Sequence, residues 1–153
     1  MADFNIAVKI TLRWEGGLSD DPNDPGGLTN YGLSQRSYPA LDIRNLTQAE
    51  AEEIYRRDFW KYDGVESQSV ANKLFDEGVN TGVSHAVKMA QSLLNVSRDG
   101  VFGSGTLDAL NSADAETFLQ AYRQALVQFY TNLAQERPSE ARYLSGWLRR
   151  AES

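Results

Sequence analysis

Between Trp14 and Gly32 the chain cannot be regular secondary structure, and this interruption fixes what must lie on either side of it. The run reads Trp14-Glu15-Gly16-Gly17-Leu18-Ser19-Asp20-Asp21-Pro22-Asn23-Asp24-Pro25-Gly26-Gly27-Leu28-Thr29-Asn30-Tyr31-Gly32. Four of the twelve glycines and both Asp-Pro dipeptides fall between Gly16 and Gly27. Glycine opens backbone conformations closed to other residues, while proline fixes φ and removes a donor, so neither helix nor strand ladder can run through. A periodic apolar segment stops against this run at Glu15. A glutamate that ends a rigid element beside a stiff, carboxylate-rich loop is expected to belong to a site rather than a connector.

Outside that run the pattern is helical. Asp3 can cap a first helix whose apolar face runs Phe4, Ala7, Ile10, Thr11 and Trp14 in steps of three and four, and Gly16-Gly17 stop it. Glu15 then sits at a helix C-terminus, where the macrodipole is negative and a carboxylate is disfavoured. That tension, with burial against Trp14, suits an acid that stays protonated near neutral pH. Residues 29–37 are expected to form a short helix capped by Thr29 and ending before Pro39. Thr47-Gln48-Ala49-Glu50 is a capping box for a helix with Ala51, Ile54, Tyr55 and Phe59 inward and Trp60 near its exit. A helix over roughly 67–81 buries Val70, Leu74, Phe75 and Val79; Gly82 breaks it, and Ser84 caps another that carries Val87, Ala90, Leu93 and Leu94. Asp99-Gly100-Val101-Phe102-Gly103 is a tight turn feeding a short helix to Leu110. Asp114 opens the longest helix, with a stripe of Phe118, Tyr122, Ala125, Phe129 and Leu133, and Pro138 suits the first turn of a last one. No long alternating pattern and no repeat appears, so the expected class is all-α or nearly so.

Composition narrows the function. At 153 residues, 41% apolar and 24% charged, the chain suits one domain with a real core. It has no cysteine and one histidine, His85, which rules out thiolate or His-rich metal sites; no metal and no cofactor is expected. A formal charge of −6 argues against nucleic acid, which needs clustered cations. Arg142, Arg149 and Arg150 make the carboxyl end locally basic, a pattern more often met on a solvated helix face. No segment could span a bilayer, and the amino-terminal residues lack a secretory pattern, so synthesis in the cytosol is expected.

Glu15, Asp20, Asp21 and Asp24 place four carboxylates within ten positions. Hydrolysis of a glycosidic bond needs little else: one carboxylic acid protonates the leaving oxygen, and a second carboxylate activates water or steadies the cationic transition state. Against this stands the ordinary use of Asp and Asn in Asx turns. A calcium loop would need alternating ligands and a closing bidentate glutamate, and Pro22 and Pro25 interrupt the run.

The motif Glu15-Gly16-Gly17, then Asp21-Pro22-Asn23-Asp24-Pro25-Gly26-Gly27, then Thr29-Asn30-Tyr31-Gly32-Leu33 resembles the signature of glycoside hydrolase family 108. Its members are phage and bacterial N-acetylmuramidases with a lysozyme-like helical fold. Downstream, Phe75-Asp76-Glu77-Gly78-Val79-Asn80-Thr81-Gly82, Ala90-Gln91-Ser92-Leu93-Leu94-Asn95 and Asp99-Gly100-Val101-Phe102-Gly103 resemble the predicted peptidoglycan region that accompanies the family. Ser104 stands where relatives often carry Pro. The resemblance implies that Glu15 is the catalytic acid. The wider phage lysozymes space Glu, eight residues, Asp, five residues, Thr; Glu15 and Asp24 keep the first interval, while Thr29 comes one residue early. Asp24 is therefore expected as base or loop-shaping residue, with Asp20 and Asp21 as rivals.

The same resemblance places Asn80 facing the cleft, where its alternative is a helix C-cap. Tyr31 and Trp60 are expected to stack on sugar faces, whereas Tyr55 is expected to be structural. Gln91 and His85 are expected at solvated positions. The chain is thus expected to be a single lysozyme-like domain, with a catalytic lobe over 1–64 and a helical lobe over 65–153. It is expected to cleave the β-1,4 bond between N-acetylmuramic acid and N-acetylglucosamine in bacterial peptidoglycan, acting as a monomer without membrane insertion and reaching the wall through a holin-like pore or another exporter. A non-catalytic wall-binding module and a lytic transglycosylase are the competing classes.

Overall fold

In a computed structural model, residues 1–22 and 26–153 are described, and they are nearly all helical. Helix α1 (Phe4–Trp14) starts where Asp3 accepts from the Asn5 amide at 2.8 Å. Its inward face is Phe4, Ala7, Val8 and Thr11. Trp14, expected on that face, is 40% exposed. Glu15 itself is the C-cap, with its N–H bonded to the Thr11 carbonyl.

Residues 29–37 do not form the expected helix. Strands β1 (Thr29–Asn30) and β2 (Leu33–Ser34) pair antiparallel, with Asn30 opposite Leu33. The two-residue loop between them holds Tyr31 at φ 50° and Gly32 at φ 80°. Positive φ at both central positions is what a type I′ hairpin turn requires, and a helix forbids it. Ser19 bridges to Thr29 on the outer side, so Thr29 is a strand residue rather than a helix cap.

Helix α2 (Gln48–Phe59) begins with the predicted capping box: Glu50 N–H donates to Thr47 Oγ1 at 3.2 Å, and Thr47 N–H to Glu50 Oε2 at 2.8 Å. Helix α3 (Gln68–Thr81) is the axis of the molecule, buried on several sides and packed against α1, α2, helix α4 (Val83–Leu94) and helix α6 (Ala115–Glu136). Gly82, at φ 105°, ends α3 and opens α4 directly, with no serine cap. Helix α5 (Ser104–Ser112) follows the Asp99–Gly103 turn. The amide of Gln91 holds that turn by donating to Asp99 Oδ1, the Val101 carbonyl and Thr106 Oγ1, while accepting from the Gly100 amide. Gln91 is thus buried, not solvated, and the Asp-Gly turn is a structural clip. Asp114 caps α6 at Thr117, and a 3-10 turn over Pro138–Tyr143 leads into helix α7 (Leu144–Glu152).

The inner stripe of α6 is Phe118, Leu119, Tyr122, Leu126, Tyr130 and Ala134, rotated from the predicted one because α6 is gripped by α3, α4 and α7. One hydrophobic cluster takes in Phe4, Ile54 and Tyr55 from the first part of the chain and Phe75, Tyr122, Leu126 and Ala151 from the second. Burial of this shared apolar surface is the main force joining them. Among the described residues no helix is long and apolar enough to cross a membrane.

Candidate active site

The end of α1 delivers Glu15 to a place where three separate parts of the chain meet. The side chain is 19% exposed. Its Oε1 accepts from Arg150 Nη2 at 2.9 Å, a contact spanning 135 positions. Arg150 was expected on a solvated face, yet its side chain is only 12% exposed. The guanidinium also donates from Nε and Nη2 to the two oxygens of Asp76, each at 3.0 Å. Asp76 is buried on α3 and accepts a third bond from Thr11 Oγ1 at 2.8 Å. Burial alone would lower the pKa of Arg150; the Asp76 and Glu15 carboxylates outweigh it and hold the group above its ordinary range. A planar fork that never loses its charge suits this two-carboxylate bridge better than an ammonium would.

The other Glu15 oxygen faces the hairpin. A Cβ on Gly32 would lie 2.8 Å from Glu15 Oε2 and 2.6 Å from Tyr55 Oη. Only glycine permits both that approach and the positive φ. Tyr55 donates to the Tyr31 carbonyl at 2.6 Å, fixing the turn; burial first, then the Glu15 charge, pushes its own pKa upward. Arg150 therefore occupies one oxygen of Glu15 and leaves Oε2 toward the turn.

Beyond Gly32 opens a cleft of about 420 Å³ lined by Leu33, Ser34, Ser37, Tyr38, Tyr55, Asp58, Phe59 and Val79. Tyr38 Oη donates to Asp58 Oδ2 at 2.8 Å, and Arg57 holds Asp58 from the outer side through Nε and Nη2. Burial first, then this bond to Asp58, pushes the Tyr38 hydroxyl up to about 12. Hydrogen bonding from Arg57, with that from Tyr38, draws Asp58 below the ordinary carboxylate range.

The expected site residues fare differently. Glu15 lies against Gly32 in the turn, Tyr31 precedes Gly32 and accepts from Tyr55 through its carbonyl, and Thr29 lies two residues before Tyr31 on β1. Asp24 lies outside the described residues. Asp20, its rival, is exposed and ion-paired with Arg44 at 2.8 Å. Trp60 leaves the substrate-binding set: it is 5% exposed, its Nε1 donates to Asp63, and its ring packs edge-on against Phe4, Tyr62 and Phe75. Asn80 is half-buried and spends its amide N–H on Tyr130 Oη at 2.6 Å. Tyr130 in turn donates to Glu77, which also accepts from Thr81, and Thr81 meets His85 Nδ1 at 2.9 Å. His85 is thereby tied into a network under Phe129 instead of lying free on the surface. Among the described residues no three His, Asp or Glu side chains gather where a metal ion could bind. Sequence reasoning missed Arg150, Asp76 and the Tyr38–Asp58 pair.

Two family models match the chain: Glycosyl hydrolase 108 over residues 8–82, and Predicted Peptidoglycan domain over residues 85–152. Among solved structures, one described as the structure of Brucella abortus SagA is similar at a TM-score of 0.78 and 27% identity. The match covers 97% of this chain and 92% of that one. No curated protein matches the sequence. The first matched segment carries Glu15, Gly32 and Asp76, while the second carries Arg150.

Proposed function

We propose that the chain, matched by the Glycosyl hydrolase 108 model over residues 8–82 and by the Predicted Peptidoglycan domain model over residues 85–152, is an N-acetylmuramidase with Glu15 as general acid. The bond broken is the β-1,4 linkage from N-acetylmuramic acid to N-acetylglucosamine. One observation carries this reading: a carboxyl group held on Oε1 by Arg150 turns Oε2 toward Gly32, a side-chain-free residue that itself lines a cleft.

To act as the acid Glu15 must leave the ion-paired state and take up a proton, and because a guanidinium has only donors that proton goes to Oε2, the oxygen Arg150 does not hold. That proton passes to the bridging oxygen as the bond to the muramic acid anomeric carbon breaks, and the N-acetylglucosamine leaves with a free hydroxyl. Water supplies the hydroxyl that completes the new reducing end and gives up its other proton to a second carboxylate, for which Asp24 is proposed, with Thr29 orienting the water. Tyr31, at the tip of the turn beside Glu15, contacts the sugar. A single chain brings Glu15 and Arg150 together, so a monomer suffices.

The test is product chemistry. Purified peptidoglycan is digested, reduced with borohydride and hydrolysed. Muramitol as the new reduced end supports the proposal. Glucosaminitol would assign the other linkage, an anhydro-muramic product lacking one water would assign a lytic transglycosylase, and wall binding without new ends would leave only a binding module.

A further inference from the structure

The outward face of α1 is cationic and apolar in a chain whose net charge is −6. The helix carries no carboxylate from Phe4 to Trp14, and its exposed side holds Lys9 and Arg13, one turn apart. Beside them Ile6, Ile10 and Trp14 recur at every fourth position, which sets them on one stripe. Ile6 is 47% exposed and Trp14 40%, so helix packing leaves this stripe uncovered. At its end Ile10, Arg13 and Trp14 form a groove of about 290 Å³ with Ser153. The cations around the groove differ in what they already hold. Lys73 and Arg123 are spent on the Ser153 carbonyl, at 3.3 and 3.2 Å. Among the described residues Arg13 is in no ion pair and no side-chain hydrogen bond, so its guanidinium is open to an anion. The groove also begins beside the acid. Trp14 directly precedes Glu15, and Ser153 follows within one helical turn of Arg150, which holds Glu15. An exposed indole, an aliphatic neighbour and an unpaired guanidinium suit a short peptide with small apolar side chains and a carboxylate.

We propose that this groove binds the acidic peptide stem carried by muramic acid, so that the protein reads the peptide of its substrate as well as the glycan. Arg13 takes a stem carboxylate, while Trp14 and Ile10 cover the alanyl part. The proposal rests on the muramidase reading, which brings a muramic acid to Glu15. In a stem-bearing strand the lactyl carboxyl is tied up as an amide, so the negative charge that Arg13 can meet lies in the peptide. The reach is sufficient. An extended chain advances about 3.3–3.6 Å per residue, so three stem residues span roughly 10 Å. Along α1, at about 1.5 Å per residue, Ile10 lies only about 6 Å behind Trp14.

The test follows backbone amide and indole N–H chemical shifts of the full chain by NMR. The probes are N-acetylmuramyl-L-alanyl-γ-D-glutamyl-meso-diaminopimelate and N-acetylmuramic acid methyl amide, which lacks the stem and its charge. The stem-bearing probe is expected to move the Trp14 indole N–H and the Ile10 and Arg13 amides saturably, and to bind roughly tenfold tighter than the methyl amide. Arg13→Gln should cut that advantage about three- to tenfold, as befits a charge-assisted contact at a partly solvated site. Trp14→Ala should cut it too, and gives a second reading should Arg13→Gln fail to fold. Probes that bind equally, shifts that leave Trp14 and Ile10 unmoved, or an advantage that survives both substitutions would overturn the proposal. So would a Trp14 signal that responds to phosphatidylglycerol vesicles and not to the stem-bearing probe, which would assign the face to a membrane surface. Muramitol ends released by the parent from intact peptidoglycan are scored separately. Their absence would sink the muramidase reading whatever the groove binds, and their presence with no advantage for the stem-bearing probe would sink only the stem site.

Discussion

Replacing Arg150 by Met removes a group that ties the end of the chain to the end of its first helix. The methionine keeps much of the aliphatic volume, so the change isolates the charge and the fork. It leaves Asp76, 7% exposed in its side chain, with Thr11 as its remaining side-chain donor, and leaves Glu15 without its cation. Removing one partner of a buried ion pair costs about 3–5 kcal/mol, chiefly from the uncompensated charge left behind. In a domain of this size each kcal/mol moves the melting temperature by about 2–4 °C, so a fall of roughly 6–20 °C is expected. Asp76→Asn added to Arg150→Met should restore part of that loss, because the buried charge disappears with its partner. Activity should fall beyond what instability explains. With Oε1 released, Glu15 is free to leave the geometry that points Oε2 at the turn, and a misplacement of about 1 Å costs on the order of 10²-fold. The loss should appear in kcat with KM little changed, and Arg150→Lys should recover only part of it, since an ammonium cannot span both carboxylates. The assays are thermal unfolding by circular dichroism and reducing-end release from peptidoglycan below the melting transition. A melting temperature within about 2 °C of the parent, with unchanged kcat, would show that the bridge supports neither the fold nor the site.

Gly32→Ala would push a methyl group against Tyr55 Oη and Glu15 while holding alanine at φ 80°. We expect about 1–2 kcal/mol of lost stability and a much larger loss of turnover; a fully active variant would mean that Glu15 does not work at this turn. Glu77 is held above its ordinary value of 4.5, by burial first, partly offset by bonds from Tyr130 and Thr81. The native state therefore keeps this proton at pH values where the unfolded chain has lost it, and the resulting stability drains away as pH rises above 4.5 through the native value. Glu77→Gln should flatten that decline, so urea unfolding at mildly acidic and mildly alkaline pH should show the variant gaining relative to the parent as pH rises; a variant that loses ground on the alkaline side contradicts this. The net charge of −6 opposes approach to an anionic wall, so lysis should tolerate or gain from moderate salt, and a steep fall on adding salt would contradict it.

What could be read from the sequence was local. The Thr47–Glu50 box, the Asp3 and Asp114 caps and the stop at Gly16 each act within one helical turn, and each lies where its residue types demand. Glu15 at the end of α1 was legible for the same reason. The hairpin at Tyr31–Gly32 was missed because Thr29 reads equally well as a helix cap, although Asn30-Tyr31-Gly32 carried a turn signal. Arg150 was illegible because one arginine among three at a helix end carries no local mark of a partner 135 positions away. Trp60 and Gln91 failed similarly: propensity does not say which aromatic ring the core swallows, or that an amide will be buried to hold a turn. The site is assembled by tertiary packing, and only its glutamate announced itself.

The decisive measurement is the rate at which Glu15→Gln releases new reducing ends from purified peptidoglycan, beside the parent protein and with both circular dichroism spectra recorded. Glutamine can still accept from Arg150 but has no acidic proton to give, so the spectrum should be unchanged while the rate falls by roughly 10²–10⁴-fold. A folded Glu15→Gln protein that turns over like the parent would mean that the proton comes from another group.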